Sequence, residues 1–257
     1  QSDIECPADP TLQQGMRFNL FSLYQNAGRN GQSNIGAKGL TGPGYDGHYF
    51  WDTEIYVVPV LSLCQPQLAR ELLQFRVNQL PQARQRAREM SHSKGALYPW
   101  RTIGGTECSA YFPAGTAQYH INAAMAYALR SYLLASGDFA FIAHQAAGML
   151  FETARLWLEL GFFGRSGAFE IHQVTGPDEY TALVNNNFYT NAMAKLHLQF
   201  AVDIWQRLQQ EQPTQASFWA DQLALSDDEI NFWQQAASQM LLPESRRVQS
   251  HRVKRLW

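Results

Sequence analysis

Most of the chain carries its apolar residues at helical spacing. From about Thr11 to Gln25, Met16, Phe18, Leu20, Phe21 and Leu23 form one apolar stripe, which predicts a long first helix. A second helical pattern runs from Trp51 to Leu63. The stretch from Pro66 to Met90 begins amphipathic and passes into the charged run from Gln82 to Glu89. Pro81 has no amide hydrogen to donate, so this stretch is two helices or one kinked helix. An Ala-rich run from Gly115 to Ser136 is stopped by Gly137. Asp138 then caps a run through Leu160 that Gly161 closes, which makes a helical hairpin. After a loop from Phe162 to Asn185, a helix is expected from about Asn186 to Gln210. Ser226 with Glu229 reads as a capping box that opens the last helix, through Leu241. Only the segment from Ala168 to Val174 alternates with the period of a strand. The fold class is therefore all-α, with no short repeat of the solenoid type.

Long loops rich in Gly, Pro and aromatic residues interrupt these helices. A simple bundle needs only short connections, so such loops point to a binding site carried on a helical scaffold. Composition narrows the ligand. Twenty Lys and Arg against 22 Asp and Glu give a formal charge of −2. No net basic field is present to hold nucleic acid or an anionic membrane, and a small molecule fits better. Cys6, Cys64 and Cys108 are too few and too scattered for a disulfide framework, and none forms a CxxC metal pair. The opening QSDIECPADP has neither a basic n-region nor an apolar h-region, and no apolar run reaches a membrane span. The expected setting is cytoplasmic, without a metal or an organic cofactor.

Three loops carry chemistry. In the first, AKGLTGPGYDGHYFWDTE, the residues Tyr45, His48, Tyr49, Phe50, Trp51 and Asp52 set aromatic faces beside hydrogen-bonding groups. Sugars call for that mixture, because a pyranose has apolar C–H faces and a rim of hydroxyls. The plainer alternative makes Phe50 and Trp51 core residues and Asp52 a helix N-cap. The second loop, GALYPWRTIGGTECSAYFPAGTAQYHINA, repeats the mixture with Trp100, Arg101, Glu107, Tyr111, Gln118, Tyr119 and His120. Gln118 and His120 stand at the start of the next helix, where side chains can enter a pocket mouth. Alternatively, His120 is a satisfied core histidine and Arg101 a surface charge. In the third, EIHQVTGPDEYTALVNNNFYTNAMA, Gly176 and Pro177 force a turn just before Asp178 and Glu179. A general acid at neutral pH needs a raised pKa, and aromatic neighbours such as Tyr180 and Phe188 are candidates to desolvate one carboxyl. Otherwise both carboxylates are solvated loop charges.

Together KGLTGPGYDGHYFWDTE, ALYPW and VTGPDEYTALVNNNFYTNAMAK resemble, in order and spacing, the catalytic domain of glycoside hydrolase family 65. That family holds maltose, kojibiose, nigerose and trehalose phosphorylases and acid trehalases. The resemblance covers roughly residues 10 to 243. It implies an (α/α)6 barrel, of which residues 1–243 supply a part, with Glu179 of the GPDEY motif as general acid. It carries Trp51 and Asp52 over to the non-reducing glucose subsite and Trp100 to a position near the sugar; Gln118 and His120 are further substrate-binding candidates from their place at the helix start. Arg101 stands where many relatives have glutamate, in a PWRTI form resembling the kojibiose phosphorylase branch, and so departs from the family pattern at the acceptor subsite.

The implied chemistry is inversion of an α-glucoside, kojibiose- or maltose-like, by inorganic phosphate as co-substrate, giving β-glucose 1-phosphate. A water nucleophile activated by a second carboxylate would make the same site an inverting hydrolase. A third reading is an inactive helical remnant that binds sugar or pairs with another chain. Residues 244–257 form a basic tail of different character. Half a barrel would also expose apolar helix faces, which favours self-association as a homodimer.

Overall fold

The computed structural model describes residues 3–109, 117–178, 180 and 182–243. Helices dominate them: α1 (Pro10–Asn26), α2 (Val58–Cys64), α3 (Pro66–Asn78), α4 (Leu80–Glu89), α5 (His120–Ser136), α6 (Phe139–Phe141), α7 (Ala147–Leu160), α8 (Phe188–Glu211), α9 (Pro213–Leu223) and α10 (Asp227–Ser238). A wide helical turn, Thr53–Val57, leads into α2, and a second one, Ile142–Ala146, joins α6 to α7. The two short strands β1 (Gly161–Phe163) and β2 (Phe169–Ile171) pair antiparallel, with Phe162 opposite Glu170.

Local chemistry accounts for most of these boundaries. Gly137 ends α5 with φ 71°, a left-handed position that costs glycine little. The Asp138 carboxylate then accepts from the Phe141 amide at 3.0 Å and starts the return helix. Pro81 sits in the first turn of α4, where the missing amide hydrogen costs nothing, and the expected break falls at Gln79. Ser226 caps α10 by accepting from the Glu229 amide at 3.3 Å. The capping box is only half formed, because the Glu229 carboxylate turns instead to Arg155, at 2.7 and 2.9 Å.

Helices α2, α5 and α8 pack side by side in chain order, with α3 and α7 behind α5 and α7, α9 and α10 behind α8. A continuous core fills the space between, centred on fully buried Trp157, Trp233, Phe151 and Leu72. Trp157 donates its indole N–H to Nδ1 of buried His197 at 2.9 Å, which satisfies both of those groups inside the core.

The long first helix is present as expected, and two features go beyond the sequence reading. The apolar stripe of α1 buries none of its residues, and Phe18 and Phe21 are 62% and 58% exposed. No described element covers that face. The segment Pro213–Leu223 is a helix that the sequence reading did not single out, although Ala216, Trp219, Ala220 and Leu223 stand three and four residues apart and face the core together.

Candidate active site

Each of the long loops feeds the N-terminal end of one member of the α2, α5, α8 row. Those ends converge. Trp51 lies just before α2, His120 opens α5, and Tyr189 is in the first turn of α8. The Trp51 and His120 rings meet edge to face at 4.7 Å, His120 and Tyr189 at 5.5 Å, and Trp51 and Tyr189 at 6.3 Å. The three loops therefore share one end of the scaffold, toward which α5 and α8 turn the positive ends of their dipoles.

The first loop is anchored from below. Glu54 and Arg76 form a buried pair, 2.7 and 3.0 Å, each side chain about 1% exposed. Arg76 also donates to the Phe50 carbonyl, and Tyr98 donates its hydroxyl to the Arg76 carbonyl at 2.6 Å. A buried pair of this kind holds only while its remaining donors and acceptors are satisfied, as they are here. The glutamate of the FWDTE motif is thus structural. Asp52, two residues earlier, stands at the N-cap position as the purely structural reading had it, but it is exposed and its side chain makes no capping hydrogen bond. Phe50 is core as that reading had it, and Trp51 is half-buried against the cluster.

The second loop is held through Glu107, whose carboxylate accepts from the amides of Trp100 (2.8 Å), Arg101 (3.2 Å) and Ser109 (3.0 Å). Buried Asn122 ties its upstream end, accepting from the Tyr98 amide at 3.0 Å and donating to the Ala96 carbonyl at 2.8 Å. Two backbone bonds between Tyr49 and Thr102 join the first and second loops. Trp100 packs edge-on against Phe50 at 5.2 Å, and Phe50 against Tyr45 at 5.2 Å. Arg101 is no free surface charge: its guanidinium reaches Asp46 at 3.1 Å.

Gln118 and His120 depart from the expected pocket mouth. Both are buried, at 2% and 0% exposure, and the Trp51 and Tyr189 rings close over His120. Burial holds the His120 pKa down to about 4, so its imidazole is neutral at ordinary pH. Among the described residues neither ring nitrogen finds a hydrogen-bond partner. Tyr189, its hydroxyl pKa pushed up to about 12 by burial, completes the ring cluster. Helical spacing did not single out Tyr189; its place in the NNNFYT run was the available signal.

In the third loop Val174 and Val184 exchange two backbone bonds, 3.0 and 2.9 Å, and so pin the two ends of the turn that carries the GPDEY motif. The three asparagines anchor its exit. Asn185 accepts from the Gln173 amide, Asn186 accepts from the Ile171 amide, and Asn187 caps α8 by accepting from Thr190. Glu179, the expected general acid, lies outside the described residues. Tyr180 is 97% exposed and Phe188 58%, so neither provides the apolar enclosure expected of it. Among the described residues no cluster of His, Cys, Asp and Glu could hold a metal ion, and no helix is long and apolar enough to cross a membrane.

Known proteins place this geometry. Trehalose phosphorylases of Geobacillus stearothermophilus and Thermoanaerobacter brockii are 53% and 52% identical over 94% and 96% of the chain. A kojibiose phosphorylase of Halothermothrix orenii is 37% identical over 94%. The chain spans about a third of the length of these relatives, 32 to 33%. A solved structure described provisionally as a kojibiose phosphorylase from the human microbiome superposes with a TM-score of 0.85 at 31% identity, over 96% of this chain and 36% of that one. The family model described as the glycosyl hydrolase family 65 central catalytic domain matches residues 17–253, and the chain belongs to that family.

Proposed function

We propose that the chain is the catalytic region of an inverting disaccharide phosphorylase whose substrate is α,α-trehalose, with Glu179 as general acid and inorganic phosphate as nucleophile. The observation that carries the substrate is the spread of identities: 53% and 52% to trehalose phosphorylases, against 37% to a kojibiose and 34% to a maltose phosphorylase. That spread favours trehalose over the kojibiose branch suggested by the PWRTI form. In this reading α2, α5 and α8 are three inner helices of an (α/α)6 barrel, and their converging ends form the floor and wall of the pocket.

The chemistry follows from the parts. Trp51 offers a ring face and Asp52 an exposed carboxylate to the transferred glucose, while Trp100 flanks the leaving sugar. Glu179 protonates the glycosidic oxygen as phosphate attacks the anomeric carbon from the opposite face. Phosphate is already anionic and needs no protein base. The products are β-glucose 1-phosphate and glucose. His120 lies beneath the Trp51 ring and supports it, with buried Gln118 two residues before it.

The test is made in the family-length protein with trehalose, kojibiose, maltose and nigerose, each with and without phosphate. Phosphate-dependent release of β-glucose 1-phosphate from trehalose is expected. Glu179→Gln should lower the rate by about 10² to 10⁴-fold with sugar binding retained. Phosphate-independent hydrolysis, or activity within a few-fold in the variant, would overturn the reading.

A further inference from the structure

The turn at residues 43–48 holds two non-glycine residues in the left-handed region, Tyr45 at φ 62° and Asp46 at φ 53°. There the Cβ crowds the following carbonyl, so the conformation lasts only where its surroundings impose it. The turn's own backbone bonds, from the Asp46 amide to the Pro43 carbonyl (3.1 Å) and from the His48 amide to the Tyr45 carbonyl (2.9 Å), close it, and the Ala37 amide ties its far end by donating to the His48 carbonyl at 3.2 Å, leaving Tyr45 and Asp46 without a backbone bond to another segment. The Tyr49 and Thr102 pair fixes the chain just downstream. What reaches the turn itself from the second loop is Arg101.

Arg101 is well placed to act as an anchor. Its side chain is 16% exposed, its amide is held by Glu107, and its buried Nε–H presents no donor to solvent. One terminal nitrogen, Nη2, lies 3.1 Å from Asp46 Oδ2, 3.4 Å from the Tyr45 carbonyl and 3.3 Å from His48 Nδ1. His48 Nδ1 is also 2.9 Å from the Tyr45 carbonyl, so the imidazole donates there and Arg101 is left to the carboxylate and the carbonyl. On its outer side the turn shows the half-exposed Tyr45 ring and the open side of the Asp46 carboxylate, 81% exposed. An aromatic face beside a carboxylate is the pairing a sugar recognises.

We propose that Arg101 is a positioning residue that clasps the 43–48 turn onto the Phe50 and Trp100 rim, so that the Tyr45 ring and Asp46 carboxylate, and not the guanidinium, meet the sugar in the acceptor position. This rests on the phosphorylase reading for the identity of the ligand; the clasp itself does not. It makes the residue after the YPW tryptophan specific through the loop it holds.

Amide hydrogen exchange tests the clasp in the 257-residue chain. Arg101→Gln should speed exchange at residues 45–48 by about tenfold or more, since a charge-assisted bond is lost, while α5, α7 and α8 exchange as before. Arg101→Lys should fall between the two. Asp46→Asn, at an exposed pair, should speed it by about twofold to fivefold, and the double variant should exchange no faster than Arg101→Gln alone. Unchanged exchange in Arg101→Gln, or effects that simply add, overturns the clasp. If Arg101→Gln loosens the whole chain, Asp46→Asn and Arg101→Lys with their double variant decide it by the same non-additivity. In the family-length protein run toward disaccharide synthesis, Arg101→Gln and Asp46→Asn should both raise KM for the acceptor sugar and leave KM for β-glucose 1-phosphate unchanged. An effect of Arg101→Gln with none from Asp46→Asn would mean that the guanidinium touches sugar, against the proposal. A wild type without turnover sinks the phosphorylase reading, while the exchange comparison still decides the clasp.

Discussion

Helices α1 and α7 both show apolar residues at helical spacing, and they meet opposite environments. In α7 every residue from Ala147 to Trp157 is buried, Phe151 stacks on Trp233 at 6.0 Å, and Trp157 is hydrogen-bonded to His197. In α1 none is buried, and Phe18 and Phe21 edge an open groove with Pro10, Gln13, Gln14 and Arg17. The spacing of apolar residues states that a face exists. It does not state what covers it, because burial energy accrues only when a second surface displaces the water.

The contrast is sharpest at the large side chains. Trp157→Ala removes a fully buried indole and orphans the His197 acceptor, so chemical denaturation of the chain should show a loss of about 3–5 kcal/mol. A loss under about 1 kcal/mol would mean that the α7 and α8 seam is far looser than described.

Next in size is a dependence on pH centred on the same seam. Burial depresses the pKa values of His197 and His120 from 6.5 to about 4. His197 uses both ring nitrogens while neutral: Nδ1 accepts from Trp157, and Nε2 donates to the Leu150 carbonyl at 3.1 Å. Below pH 6.5 the unfolded chain takes up protons at these positions and the folded chain does not until about pH 4, so the unfolded state binds more protons. Stability is therefore complete above the unfolded value and falls as pH drops toward 4, with a slope approaching about 1.4 kcal/mol per pH unit for each histidine. Urea midpoints compared at neutral and mildly acidic pH check this. A flat profile would show that neither imidazole is held neutral by burial.

The smallest effect is expected on α1. Phe18→Ser in the 257-residue chain should change stability by no more than about 0.5 kcal/mol, as for other exposed positions. A cost near that of a core residue would show that another surface, a second copy among the candidates, covers this face in solution. Sedimentation of the same variant would then report the partner's loss.

Most helices and their stops were legible residue by residue, α9 excepted. Gly137 and Asp138 announce the α5 to α7 hairpin, Pro81 the α3 to α4 break, and alternation from Ala168 onward the strand β2. Strand β1 was not legible, since three residues carry no period and it exists by pairing with β2. The three motif loops were also legible as loops with sugar-like chemistry, and their order sufficed for the family.

How the candidate residues divide their work was decided by tertiary structure. Asp52 and Glu54 are two residues apart and equally acidic in sequence; one is exposed and the other is locked to Arg76 from α3. His120 looks like a pocket residue until Trp51 and Tyr189, 69 positions before and after it, close over it. Glu107 is one more loop carboxylate until three amides converge on it. Sequence alone determined the helical class, the hairpin stops and the presence of three long loops that mix aromatic and hydrogen-bonding residues, because periodicity, capping and turn chemistry act between near neighbours. Which carboxylate is free, which histidine is neutral and which apolar face stays wet depend on groups brought together from distant parts of the chain, and only packing sets those distances.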